Sequence, residues 1–422
     1  MTEAEASPPT RIASLDVIRG VAVMGIFSVN VMSFAMIGSA YLNPTAFGGH
    51  TGASLIVWGG NLLLIDGKMR SLFSILFGAS MMVVVERAQA KGQSAWWTHA
   101  RRMAVLFAFG LVHYTFIWFG DILTNYALAG LVIFLFRRQP PRTLITLGVA
   151  AIIVQSLFFA WQSAEALQVQ MAAHAPGASK AAVDAWNRMA GFYHPDAARI
   201  AKDQMRHLGP WSAMFERRVG RWDTYFTYLA LDLPATIGLM LIGMAGFKSG
   251  FLTGSWSDGR YRRFAAWAIP AGLAGFLAIL MFTVHTRFDG VALEGSVFLV
   301  GGEFAAFMAL GYAALIILLT RKRGQLTDRI AAAGRCAFSN YLGTSILATF
   351  VFDGWGLGLY ASLTRWQVWL VAPLFWAIML LWSKPWLERF HYGPFEWAWR
   401  SLSRWSIQPF RKIKPVVGPV GI

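Results

Sequence analysis

The apolar residues of this chain fall in blocks of about 20, the length an α-helix needs to cross the hydrocarbon core of a bilayer. Of its 422 residues 56% are hydrophobic and only 14% charged, so little in those blocks would hold them in water. The expected fold is all-α, a polytopic membrane helix bundle. Its spans are placed at about 15 to 40, 62 to 85, 103 to 120, 122 to 136, 143 to 161, 222 to 246, 264 to 284, 293 to 320, 336 to 353 and 366 to 383. Ten crossings put both termini on one side. Four segments follow: a five-span half over 1–161, a polar helical loop over 162–221, a second five-span half over 222–384 and a basic, aromatic tail over 385–422. The first ten residues, "MTEAEASPPT", carry two acids and no basic n-region, so the first helix is expected to be retained rather than cleaved as a signal peptide. Cys336 is the only cysteine, which excludes an intrachain disulfide and a cysteine-rich metal site.

Basic residues say which side is which. Arg87, Lys91, Arg101 and Arg102, then Arg137, Arg138 and Arg142, then Lys248, Arg260, Arg262 and Arg263, then Arg321, Lys322, Arg323, Arg329 and Arg335 all fall in alternate loops. By the positive-inside rule those loops and both termini are expected in the cytoplasm. The intervening short loops hold almost no Lys or Arg. Residues 162–221 break the pattern, for they carry Arg217, Arg218 and Arg221 on the expected exterior; long loops count little in the charge rule, so an exterior helical cap is the reading. The tail mixes aromatic and cationic residues as segments lying on an inner membrane surface do. A net charge of +16 is thereby accounted for by topology and anionic lipid, and nucleic acid is not expected as a partner.

Ionisable residues inside spans cost roughly 2.5 to 3.5 kcal/mol each on insertion scales, so each asks for a reason. Asp16 and Arg19, at i and i+3, form either an ion pair that pins the first helix or part of a donor site near its cytoplasmic end. Asn30 lies about 16 Å further along the same helix. Asp66 and Arg70, at i and i+4, are expected to pair, with Lys68 pointing elsewhere and Gly67 allowing a close backbone approach. His113 falls deep in the third span, where an imidazole is either a satisfied structural hydrogen-bonder or a general base. Asp121, Asn125 and Tyr126 form the turn beyond it and either line a polar vestibule or cap two helices. His50 sits in an exterior loop beside two glycines, and Asn340 near the inner end of the ninth span. No zinc motif, Walker loop, nucleophile elbow or dinucleotide fingerprint occurs in a credible context, so no metal is expected and any chemistry comes from residues brought together by packing.

Several segments, in order, carry a resemblance: "SLDVIRGVAVMGIFSVN", "AYLNP", "DGKMRSLFSILFGA", "RRMAVLFAFGLVH", "GDILTNYALAG", "GRCAFSNYLG" and "GPFEWAWR". Together they resemble the YeiB-type family of bacterial inner-membrane proteins of unknown function. The first helices are similar to a wider transmembrane acyltransferase superfamily that includes the lysosomal heparan glucosaminide acetyltransferase. That resemblance implies a cytoplasmic acyl-CoA as co-substrate and an acyl group passed through the bundle to a sugar-like or other hydroxyl or amine acceptor. It implies donor-binding roles for Asp16 and Arg19 and an oxyanion or positioning role for Asn30. The catalytic histidine that follows in the lysosomal enzyme is matched here by Tyr41, leaving His113 or His50 as the base. Asp66, Lys68, Arg70, Asp121, Asn125, Tyr126 and Asn340 are the remaining donor- or substrate-binding candidates. The rival reading is a transporter or channel for a small polar metabolite, using the same buried polar residues as its path. A homodimer is compatible with either, and the bilayer is the partner common to both.

Overall fold

The computed structural model describes residues 13–322 and 324–412. The first ten residues, on which the expected retention of the first helix rests, the charge at Arg323 and the last part of the basic tail lie outside the described residues. Eighteen α-helices follow one another among those described. The first six are α1 (Ala13–Ala35), α2 (Ser39–Leu42), α3 (Gly52–Leu64), α4 (Lys68–Ala90), α5 (Ala95–Val112), which runs into a π-helical turn (His113–Ile117), and α6 (Leu123–Phe134). A long α7 (Pro141–His174) leads to three short helices, α8 (Lys180–Tyr193), α9 (Ala197–Leu208) and α10 (Trp211–Val219). The chain then re-enters the bundle as α11 (Trp222–Lys248), α12 (Asp258–His285) and α13 (Gly290–Leu319). It ends with α14 (Gln325–Arg335), α15 (Ala337–Phe352), α16 (Arg365–Trp369), α17 (Val371–Arg389) and α18 (Pro394–Arg404).

Among the described residues eight stretches are long and apolar enough to cross a membrane: α1, the α3–α4 pair, α5 with its π-turn, α7, α11, α12, α13 and α16–α17. The two other expected spans are the shorter apolar helices α6 and α15, of 12 and 16 residues. At 1.5 Å per residue they reach about 18 and 24 Å, less than a full hydrocarbon thickness. The second expected span is displaced. Gly67, at φ 72, takes a backbone conformation that breaks the helix after Ile65, so α3 and α4 meet at a bend instead of running straight. The fifth span also continues to His174, so the polar segment begins later than expected.

Local sequence explains the starts. Pro141 and Pro394 open α7 and α18, where a missing N–H costs nothing. Ser94, Ser179, Asp196 and Asp289 accept backbone N–H groups at the starts of α5, α8, α9 and α13. Inside the bundle α1, α4 and α11 are shared between two packed cores. One adds α5, α6, α15 and α17 through residues such as Phe27, Met103, Tyr126 and Phe375, and the other adds α12 and α13 through Tyr261 and Ala309. Around α11 the backbones themselves touch: a Cβ at Gly78 of α4 would meet the Met240 carbonyl, and one at Gly243 would meet that of Ile75. Most of α7 is exposed along its apolar span, as a lipid-facing helix is.

The bundle has two unlike ends. Arg87, Arg102, Arg335 and α18 gather at one, the basic end. Loop 43–51, the π-turn, loop 353–361 and the cap of α8 to α10 gather at the other. The cap is tied down by Gly354 N–H donating to His207 O (2.8 Å), Tyr360 Oη donating to Asp203 (2.6 Å) and Trp211 Nε1 donating to Phe116 O (3.0 Å).

Candidate functional site

A cavity of about 540 Å³ opens among α1, α4, α5, α6, α14, α15 and α18. Its basic-end rim carries Arg19, Arg87, Arg102, Arg335 and Arg400, and its walls deeper in are Val23, Ile26, Phe73, Phe77, Leu106 and Leu123. Tyr126 and Tyr341 line its far side. Two acids reach it, and both are engaged. Asp16 lies 3.3 Å from Arg19, whose other nitrogen donates to Ser80 Oγ at 2.7 Å. Glu396 turns from α18 into the start of α15, accepting the backbone N–H groups of Phe338 (2.7 Å) and Ser339 (3.1 Å) and the Ser339 hydroxyl. Burial pushes the Glu396 carboxyl above its ordinary range, and those hydrogen bonds only partly offset it. The rim is therefore strongly cationic over an apolar interior, a combination that suits a ligand with a polyanionic head and an extended, less polar arm.

Beyond Tyr341 lies the second element. His113 opens the π-turn, is wholly buried, and places Nδ1 3.0 Å from Asp121 Oδ1. Its ring centroid is 5.2 Å from that of Tyr341, which lines the cavity, so one side chain separates the two. Asp121 Oδ2 accepts the Thr124 N–H at 2.9 Å and the Tyr225 hydroxyl at 3.1 Å. A carboxylate oxygen facing Nδ1 calls for a proton on that nitrogen, and in a neutral ring so arranged Nε2 presents a lone pair. Nε2 is buried and has no hydrogen-bond partner among the described residues. A π-turn aims this side chain differently from the helical face before it, as such turns do at functional positions.

The expected residues are distributed unevenly about this site. Asp16, Arg19 and Tyr126 line the cavity, and Tyr126 also shares a 2.6 Å hydrogen bond with Ser74. Asn30 is half-buried and outside the cavity lining, but it continues the stripe of Arg19, Val23 and Ile26, one turn further along α1. Asn125 is buried, donates to Leu229 O at 3.4 Å and leaves Oδ1 without a partner among the described residues. The expected Asp66–Arg70 pair does not form. Because Gly67 bends the chain, Asp66 accepts the Tyr41 hydroxyl (2.9 Å), while Arg70 holds both oxygens of Asp232 on α11 (2.8 and 2.9 Å). Lys68 is buried against the Phe276 ring and donates to Leu62 O, a packing role away from the cavity. His50 is exposed in its loop. Asn340 has its amide taken up by Ala333 O (3.0 Å), Ser383 Oγ (3.4 Å) and Trp382 Nε1 (2.8 Å), which clamps α14, α15 and α17 together. Tyr225 was not anticipated: it lies 104 residues from Asp121 at the start of α11, and no local signal connects the two. Arg102 and Arg400 were read only as topology and tail.

Comparison with known proteins shows which family the chain belongs to. The family described as "Protein of unknown function (DUF418)" matches residues 246–406. The chain is 30% identical over 423 residues to the "Uncharacterized protein YxaH" of Bacillus subtilis (strain 168), covering 95% of this chain and 96% of that protein. It is 30% identical over 401 residues to the "Uncharacterized protein YeiB" of Escherichia coli (strain K12), covering 93% and 96%. The chain belongs to the YeiB-type family. A third YeiB-type relative, the "Uncharacterized 39.9 kDa protein in amylase 3'region" of Bacillus acidopullulyticus, is 24% identical over 396 residues, 93% of this chain and 94% of that protein. The similarity runs through both halves, so the α5–α6 region that carries His113 and Asp121 belongs to the shared length.

Proposed function

We propose that this YeiB-type protein is a membrane-embedded acyltransferase of the bacterial inner membrane. Its basic end would face the cytoplasm and take an acyl-CoA, and its cap would face the exterior, from which a hydroxyl or amine acceptor arrives. The observation that carries this reading is the succession of arginine rim, apolar cavity and buried His113–Asp121 pair along one line of the bundle. The rim arginines bind the donor's phosphates, and the cavity walls hold its thioester arm pointing toward Tyr126 and Tyr341. His113 Nε2 takes the proton of the acceptor O–H or N–H, and the freed nucleophile bonds to the thioester carbonyl carbon. When the tetrahedral intermediate collapses, the C–S bond breaks, the thiolate leaves and the proton returns to it. Asp121 holds the imidazole in register and stabilises the imidazolium formed in between. Asn30, on the continuation of the cavity-lining stripe of α1, is the candidate donor to the oxyanion.

Calorimetry with purified protein tests the donor half. CoA and acetyl-CoA should bind, and the Arg102→Gln/Arg400→Gln variant should weaken them by about tenfold, more at low salt than at high. A folded wild-type protein that binds neither would end the acyltransferase reading and leave the transporter as the account of the same cavity.

A further inference from the structure

The cap contradicts the charge rule that orders the rest of the chain. Between Ala197 and Asp223 it carries six Lys and Arg against three Asp and Glu, at the end of the bundle opposite the basic loops. Arg206, Arg217, Arg218 and Arg221 form no ion pair among the described residues. Of the three acids in this stretch, Asp203 already accepts the Tyr360 hydroxyl at 2.6 Å. The arginines are nevertheless neighbours in the fold: Arg217 and Arg218 lie in the last turn of α10, Arg221 caps the start of α11, and α9, which ends near Arg206, packs against α10. Burial first, and then the charges of Arg206 and Arg221, hold the Arg217 guanidinium below its ordinary range, and burial lowers that of Arg218 against the pull of Asp353. Cations that repel one another in the free protein are arranged for an anion that joins them.

Their place on the fold says which anion. Arg218, 7% exposed, reaches the Thr115 carbonyl at 3.5 Å, and the Tyr114 hydroxyl donates to the backbone oxygens of Arg218 and Arg221, both at 3.3 Å. Thr115 and Tyr114 belong to the π-turn that begins at His113, so the cluster sits directly on the element that carries the candidate base. Beside it Phe116, Phe215 and the exposed Trp211 stack with centroids 5.2 to 6.2 Å apart, an aromatic group of the kind found at headgroup depth. Guanidinium forks match phosphate oxygens two at a time.

We infer that Arg206, Arg217, Arg218 and Arg221 bind a phosphate group on the acceptor, so that the acyl group is delivered to a phosphate-bearing molecule, soluble or lipid-linked. The inference rests on the acyltransferase reading for the word acceptor, but the anion site can be tested without turnover. Protein is placed in nanodiscs of phosphatidylcholine alone and titrated with glucose 1-phosphate, with glucose as the neutral control. In a second arm the discs contain phosphatidylglycerol, and native mass spectrometry counts the lipid retained. The Arg206→Gln/Arg217→Gln/Arg221→Gln variant leaves the buried Arg218 contact in place. Wild type should bind glucose 1-phosphate and not glucose if the acceptor is soluble, or retain phosphatidylglycerol alone if it is lipid-linked. The triple variant should lose at least about tenfold of either. Excess CoA should not displace the probe, and the variant should bind CoA as wild type does. Wild type binding neither probe, a variant binding as tightly as wild type, or displacement of the probe by CoA would each overturn the site. Failure of CoA to bind wild type would instead remove the acyltransferase reading while leaving the anion site standing.

Discussion

Both ends of the bundle collect arginines, and they do so for different reasons. At the basic end Arg19, Arg87, Arg102, Arg335 and Arg400 ring a cavity with apolar walls, and the charge pattern of the alternate loops already calls for cations there. At the cap end Arg206, Arg217, Arg218 and Arg221 sit where that pattern calls for none. The same side chain is thus explained by topology at one end and demands a separate explanation at the other. Distance from the imidazole sharpens the contrast: the rim is separated from His113 by the depth of the cavity and Tyr341, whereas Arg218 touches the turn that His113 begins.

The largest expected effect is all or none. Cys336 is buried, so cysteines introduced at Lys91 and at Lys202 are the reactive thiols in their respective variants. In intact cells or sealed spheroplasts a membrane-impermeant maleimide should label position 202 and not position 91. Labelling of both, or of 91 alone, would dissolve the distinction between the ends.

Next in size is the loss of the base. His113→Ala should reduce turnover by roughly 10² to 10⁴ while CoA affinity stays within about twofold, because the imidazole lies beyond the cavity and not on its rim. His50→Ala, in an exposed loop, should leave turnover unchanged. If His50→Ala alone abolishes activity, the base belongs to the cap-end loops and the separation drawn above is misplaced.

The smallest effect concerns the latch between α18 and α15. The Glu396 carboxyl titrates higher in the folded chain than in the unfolded one, so its contribution to stability is complete below about pH 4.3 and is lost as pH rises through its folded value. Glu396→Gln keeps an acceptor for the Phe338 and Ser339 N–H groups and has no charge to bury. Its melting temperature should fall less than that of wild type between pH 4 and pH 7. Equal pH slopes in the two proteins would show that this carboxyl is not what couples α18 to the bundle.

Much of the fold was legible because a bilayer imposes a length: the ten apolar blocks reappear as eight helices of crossing length and two shorter ones, α6 and α15. The Asp16–Arg19 pair was legible too, since an i, i+3 spacing on an unbroken helix leaves little freedom. The Asp66–Arg70 pair was misread because a helical spacing assumes a helix, and the positive φ of Gly67 interrupts it. Asn340 stood out as an intramembrane amide, yet three neighbours on two other helices take up its hydrogen bonds, which no spacing rule could show. His113 was visible as a lone histidine. Its coupling to Asp121 was hidden because the π-turn changes the register between 113 and 121, and the link to Tyr225 crosses 104 residues of chain.

The glycines at the centre of the bundle also limit how it can work. Gly78 and Gly243 bring the α4 and α11 backbones together with no side chain between them, and a Cβ at Gly148 of α7 or Gly238 of α11 would likewise run into the other helix. Side chains can change rotamer to accommodate a neighbour, but two backbones in contact have no such freedom, so a residue larger than glycine at any of these four positions meets main chain of the facing helix. An alanine at Gly243 should therefore act as a wedge that forces α4 and α11 apart.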